Sequence, residues 1–270
     1  MALTDKLKTI ADAIRSKTGY TESMTLDQMA SEISEIQSGG VTEPYIEEVY
    51  DSRGNLINVK FYGYDKIRDC AFRSCRKLAL TSLPSGLISI GQEAFYDCSS
   101  LALTSLPSGV TILGANAFYN CSSLALTSLP SGITRITAST FFNCSSLALT
   151  SLPSGVTEIG GSAFYNCSSL ALTSLPSGIT SIIGSTFYNC SSLALTSLPS
   201  GVTFIGSRAF YNCSNLTSLT FKGTPTTINS NAFQNCTNLT TINVPWAEGS
   251  VANAPWGATN ATINYNYTGE

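Results

Sequence analysis

Leu101-Ala-Leu-Thr-Ser-Leu-Pro-Ser-Gly-Val-Thr-Ile-Leu-Gly-Ala-Asn-Ala-Phe-Tyr-Asn-Cys-Ser-Ser123 decides the fold, because near-copies of it fill most of the chain. Cysteines stand at Cys75, Cys98, Cys121, Cys144, Cys167, Cys190, Cys213 and Cys236, each 23 residues after the last. A phenylalanine precedes every one by three residues, from Phe72 to Phe233. Six units between Leu78 and Asn215 open Leu-Ala-Leu-Thr-Ser-Leu-Pro-Ser-Gly. A fixed period of this length marks a solenoid whose turns stack and share one core. Within the quoted unit, Leu101 to Leu106 reads as a short strand and Pro107-Ser-Gly109 as a corner. Val110 to Leu113 reads as a second extended piece, closed by Gly114. Ala117-Phe-Tyr-Asn-Cys121 returns the chain, with Phe118 and Cys121 pointing inward. Five or six apolar side chains per turn, at ~1.5–3 kcal/mol each when buried, cannot offset ~1–2 kcal/mol of backbone ordering per residue. Only a stack, in which each turn covers the next, balances the cost.

Outward from the repeats, residues 1–37 predict a small α-helical hairpin. Thr4 is an N-cap, Leu7, Ile10, Ala11 and Ile14 share one face, and Gly19 sits where a helix stops. Thr25-Leu-Asp-Gln28 is a capping box, followed by a stripe of Leu26, Met29, Ile33 and Ile36. Helices of about three turns are marginal alone, so Leu7, Ile10, Ile14, Met29 and Ile33 are candidates for oligomerisation or docking; a plain local hairpin is the alternative. Ser38-Gly-Gly40 is a flexible joint. Residues 38–64 continue as linker and β-hairpin around Asp51-Ser-Arg-Gly-Asn55, expected to cover the first turn of the solenoid. The repeats occupy 65–238. Residues 239–270 form a terminal cap, in which Trp246 and Trp256 are expected to close the core.

Composition excludes several classes. A net charge of -3 lacks the basic stripe that nucleic acid requires. Residues 1–77 hold 11 of the 14 Lys and Arg and 12 of the 17 Asp and Glu, which leaves the repeats a neutral coat of Ser, Thr, Asn and Tyr. There is no histidine, so Ser-His-Asp and Cys-His arrangements are ruled out. No phosphate loop and no ligand cluster with metal spacing occurs, so neither enzyme activity, cofactor nor metal is expected. Cysteines in one column do not offer pairwise disulfide geometry. They read as reduced, buried small hydrophobes. Neither an export signal nor a run of the ~18 apolar residues needed for a span is visible.

Recognition is best sought where copied units differ. The column Ser89, Ile112, Arg135, Glu158, Ser181, Phe204 lies between inward columns and should face solvent, as a ligand-reading strip or as neutral surface drift. The aromatic column Tyr96, Tyr119, Phe142, Tyr165, Tyr188, Tyr211 fits self-stacking better than sugar stacking. A third candidate is the Leu80, Leu103, Leu126, Leu149, Leu172, Leu195 ladder. Either Thr104 faces the core and Leu103 faces out, or the strand bulges locally; the ladder is expected to be buried, within the fold or under a partner. Leu103 and Leu126 are therefore candidate partner contacts.

The pattern Cys-x-x-Leu, a strand ending Leu-Pro, then Val/Ile-Thr-x-Ile-Gly-x-x-Ala-Phe-x-x-Cys resembles the BspA-like leucine-rich repeat family over about residues 65–245. The resemblance implies a β-rich leucine-rich-repeat solenoid that works in adhesion and binding. Two departures stand out: members on bacterial surfaces are usually exported, and the central units carry Thr104, Thr127 and Thr150 where the repeat usually has an aliphatic residue. Leu3 to Gly19 and Met24 to Met29 resemble the leader of tail-associated proteins in phages and prophages of Gram-positive gut bacteria. Val244 to Gly257 is similar to the terminus of such repeat proteins. Together these resemblances imply a tail receptor-binding or tail-fibre component in the virion, made in the host cytoplasm. Its partners would be a bacterial surface protein or glycan and a phage tail protein, with a homo-oligomer such as a trimer. The alternative is a cell-surface or secreted adhesion module.

Overall fold

In the computed structural model, residues 45–269 are described. The helical hairpin expected over 1–37, and with it Leu7, Ile10, Ile14, Met29 and Ile33, lies outside them. Among the described residues every regular element is a strand. β1 (Tyr45–Tyr50) and β2 (Leu56–Tyr62) form a two-stranded sheet. Their turn is organised by Asp51, whose carboxylate accepts the N–H groups of Arg53 and Asn55 at 2.8 and 2.9 Å. β2 lies on the first turn of the solenoid: Ala79 N–H donates to Ile57 O at 3.0 Å, and Phe61 meets Phe72 edge-on at 5.8 Å.

Each turn then adds a two-residue strand to one face. β3 (Lys66–Ile67), β4 (Ser89–Ile90) and β5 (Ile112–Leu113) pair in parallel. β6 (Arg135–Ile136) pairs with β7 (Glu158–Ile159). β8 (Ser181–Ile182), β10 (Phe204–Ile205) and β12 (Thr227–Ile228) continue the face, again in parallel. A second ladder forms only late in the chain, from β9 (Ser197–Leu198), β11 (Ser218–Phe221), β13 (Thr241–Asn243) and β14 (Thr262–Asn264).

The expected strand over Leu101–Leu106 is therefore absent from the central turns. The cause is the placement of the leucines. Leu101, Leu103 and Leu106 are buried while Thr104 and Ser105 both face solvent, which breaks the alternation a strand requires. One or two bonds per turn remain, such as Ala102 N–H to Leu80 O at 3.1 Å and Ala125 N–H to Leu103 O at 3.0 Å, with Thr173 N–H to Thr150 O at 3.4 Å as a second. Of the two outcomes open in the sequence, the local bulge is the one adopted.

The core is a set of columns running through the stack. Phe72, Phe95, Phe118, Phe141, Phe164, Phe187, Phe210 and Phe233 stack with centroids 5.0–5.7 Å apart. That offset, near-parallel arrangement is favoured for aromatic rings. Beside it, Cys98 to Cys236 are buried, and every thiol donates to a phenylalanine carbonyl of the preceding turn, as Cys121 Sγ does to Phe95 O at 3.0 Å. All nine cysteines are free. At the far end Trp256 is fully buried and Trp246 nearly so, and they pack on Phe221 at 6.1 and 5.3 Å respectively.

Candidate recognition surface

The strand face carries the variable column. Cross-turn pairing aligns Lys66 with Ser89 and Ile112, Arg135 with Glu158, and Ser181 with Phe204 and Thr227. Strand alternation sends their neighbours Ile67, Ile90, Leu113, Ile136, Ile159, Ile182 and Ile205 into the core and leaves this column outside. Ile112 is 58% exposed and Phe204 36%. Ile88, one place before the column, is 45% exposed. Large apolar groups facing water on a rod otherwise coated in hydroxyls are the unusual feature of this surface.

Arg135 and Glu158 meet through two contacts of 2.9 Å, Nε to Oε2 and the terminal guanidinium nitrogen to Oε1. Both side chains are more than half exposed, so the pair adds only ~0–1 kcal/mol to stability and remains free to meet a partner. Towards the N-terminal end a shallow trough of about 750 Å³ runs beside the column, lined by Lys66, Arg68, Asp69, Ser89, Gln92 and Ile112. Neither Lys66 nor Arg68 has an ion-pair partner among the described residues.

Leu103 and Leu126 are not on any surface. Both are fully buried, because the bulge at Thr104-Ser105 and its copy at Thr127-Ser128 turns them into the core; no partner reaches them. The aromatic column is likewise committed. Rings from Tyr96 to Tyr211 lie 4.4–4.6 Å apart and within 5° of parallel. The Arg73 guanidinium covers the Tyr96 face at 4.9 Å. Every ring from Tyr96 to Tyr188 thus has both faces covered, which leaves only its edge for a sugar.

One organised feature escapes sequence reasoning. Asn120, Asn143, Asn166, Asn189 and Asn212 form an amide ladder, in which the Nδ2 of each of the last four donates to the Oδ1 one turn back at 2.8–2.9 Å. All five have φ between 55° and 58°. The signal was present, since a repeated Asn at a tight corner suits left-handed backbone. These amides are occupied, and the Asn-Cys-Ser tripeptides there are structural.

The surface contains no obvious chemistry. Burial pushes the Cys98 and Cys236 thiols up to about 12 and raises the others inside the column, the reverse of what a nucleophile needs. No group of three or more metal-binding side chains comes together among the described residues, nor is any helix there long and apolar enough to cross a membrane.

A parallel stack of 23-residue turns with leucine, phenylalanine and cysteine columns is a leucine-rich-repeat β-solenoid. The BspA type leucine rich repeat model matches residues 65–194 and 162–253, and the chain belongs to that family. Among solved structures it is similar to a leucine rich cell surface protein from Faecalibacterium prausnitzii, with 27% identity over 72% of this chain and 60% of the other and a TM-score of 0.48. The chain thus spans 60% of that protein's length. A leucine-rich repeat protein of T. pallidum shows 26% identity over 74% and 82% of the two chains, TM-score 0.39. The pneumococcal vaccine antigen PcpA shows 21% over 75% and 63%, TM-score 0.39. No curated protein shows significant similarity to this sequence.

Proposed function

We propose that this chain is a non-enzymatic recognition module of the bacterial cell-surface type, which binds a protein or glycan through the strand face carrying Ile112, Arg135, Glu158 and Phe204. The observation behind this reading is the exposure of Ile112 and Phe204 in an outward strand column whose residue changes from turn to turn within otherwise similar units. A scaffold of near-copied turns that diversifies an outward column presents different contacts on a similar frame. Family membership agrees with it, and relatives named as a surface protein and a vaccine antigen are of the same broad kind.

A second reading, a phage or prophage tail receptor-binding component, has behind it the resemblance of residues 3–29 and 244–257. It would put the same face to a similar use, on a virion and against a bacterial surface. None of the similar structures above is named as a virion component. Tail or baseplate genes beside the coding sequence would favour this reading, and a lone surface locus the first.

The face itself is tested with the triple variant Ile112→Ser, Arg135→Ser, Phe204→Ser. Wild type and variant are screened on arrays of extracellular proteins and of glycans. The variant should lose whatever the wild type binds while keeping its circular dichroism and melting temperature. Retained binding by a folded variant moves recognition to another surface.

A further inference from the structure

The copied turns alternate between two kinds. Val110, Val156 and Val202 take turns with Ile133 and Ile179 at one core position. Gly114, Gly160 and Gly206 take turns with Thr137 and Ile183, and Ala117, Ala163 and Ala209 with Thr140 and Thr186. The strand face follows the same alternation. Thr111, Thr157 and Thr203 donate their backbone N–H to the turn before at 2.9, 3.0 and 2.8 Å, and Gly114, Gly160 and Gly206 do so at 2.8 Å. The matching amides of Thr134, Thr137, Thr180 and Ile183 have no backbone acceptor in the preceding turn. The sheet accordingly ends after β5 and again after β7.

The glycines explain the difference. A Cβ at Gly114, Gly160 or Gly206 would fall against the backbone of the preceding turn, at Gln92, Ala138 and Gly184 respectively. Thr137 and Ile183 bring a branched Cβ to that place, and the strand stands off. Asn229, unbranched in the same column, keeps its bond to Ile205 O at 2.9 Å, so branching is what opens the junction. Side chains repair part of the loss. Thr137 Oγ1 donates to Leu113 O, the acceptor its own amide leaves free, at 3.0 Å. The buried hydroxyls of Thr140 and Thr186 donate to Thr137 O and Ile183 O at 2.8 and 2.7 Å.

Elsewhere the junctions are tied as firmly as any other turn. Phe118 stacks on Phe141 and Phe164 on Phe187 at 5.7 and 5.6 Å. Ala125 N–H still reaches Leu103 O, and Phe118 N–H still reaches Thr140 O. One slack side opposite a tied side is a hinge.

We propose that the strand face of the solenoid is divided into blocks of three, two and three strands, and that the junctions between Leu113 and Ile136 and between Ile159 and Ile182 are hinges on that face. Resting on the recognition reading above, this divides the face into three panels, carrying Ile112, the Arg135–Glu158 pair and Phe204, whose angles adjust to a partner. Amide hydrogen exchange on the full chain, with no partner present, tests it. The amides of Thr134, Thr137, Thr180 and Ile183 should exchange at least roughly tenfold faster than those of Thr157, Gly160, Thr203 and Gly206. The double variant Thr137→Gly, Thr140→Ala should slow residue 137 to the rate of Gly160 and leave Ile183 fast. Equal rates at the two sets in the wild type overturn the proposal, and that comparison stands even if the double variant does not fold. Because no ligand enters the measurement, such a failure leaves the recognition reading untouched.

Discussion

Two stretches of this chain solve the same packing problem in different registers. In the central turns the buried leucines read Leu124, Leu126, Leu129, with Thr127 and Ser128 outside; near the C-terminal end they read Leu216, Leu219, Phe221, with Thr217 and Ser218 outside. Each stretch buries three large groups in six residues. The C-terminal order keeps Leu219 and Phe221 two apart, so β11 alternates regularly and pairs with β13 over three positions. The central order puts its two-residue gap after the second leucine, and only isolated bonds cross between turns there. Either order of leucines buries its three groups, and the position of one leucine decides whether a strand forms.

The largest effect expected from this difference between middle and end appears at high pH. Burial raises the thiols of Cys98 and Cys236, towards the two ends, to about 12, and holds Cys121, Cys144, Cys190 and Cys213 well above their ordinary value. The unfolded chain ionises these groups near 9.0. Folded pKa values above unfolded ones mean stability that is complete below about pH 9 and lost as pH rises towards the folded values. Each thiol contributes a slope of ~1.4 kcal/mol per pH unit in that window. Urea midpoints should be flat below about pH 8.5 and fall steeply between about pH 9 and 12. Replacing Cys144 and Cys167 by Ala should flatten the fall. A midpoint unchanged at pH 11 would mean the column is wet.

Next in size is a position-matched exchange of alanines. Leu126 and Ser218 occupy the same place in the period, as do Thr127 and Leu219. Leu126→Ala and Leu219→Ala should each cost ~2–5 kcal/mol, while Thr127→Ala and Ser218→Ala stay within ~0.5 kcal/mol. Denaturation of the four variants settles the register. If Thr127→Ala proved as damaging as Leu126→Ala, the bulge would not exist in solution.

Legibility followed period and polarity. The solenoid and the Phe and Cys columns are legible because one residue type recurs every 23 positions, and the outward variable column because it lies between two such recurring apolar positions. The register of Leu103 could not be settled from the sequence. The choice between strand and bulge trades backbone bonds between turns against burial of Leu103, and composition does not reveal that balance. The two-turn alternation was legible in Gly114, Thr137, Gly160 and Ile183, yet it reads as noise until the glycine is seen to touch the turn beneath it. The Asn120 ladder stayed hidden for the same reason, since its partners sit a full turn away. In the sequence Leu103 and Leu126 look like contacts, because an apolar repeat beside a polar one reads as an exposed stripe when perfect alternation is assumed; the structure buries both.

The smallest stability effect belongs to the outward column, and there smallness is itself informative. Arg135 and Glu158 are 64% and 55% exposed and bonded in two places. Solvent screening holds such a pair to ~0–1 kcal/mol, and either single alanine variant should melt within about 3 °C of wild type. Salt should weaken the pair further, since both charges face water. A residue kept for packing cannot be removed so cheaply, as the cost at Leu126 would show. If Arg135→Ala and Glu158→Ala leave melting unchanged yet each alters binding to an array hit, the column acts in recognition. If both leave melting and binding untouched, that pair is neutral drift, and the face must be read from Ile112 and Phe204 alone.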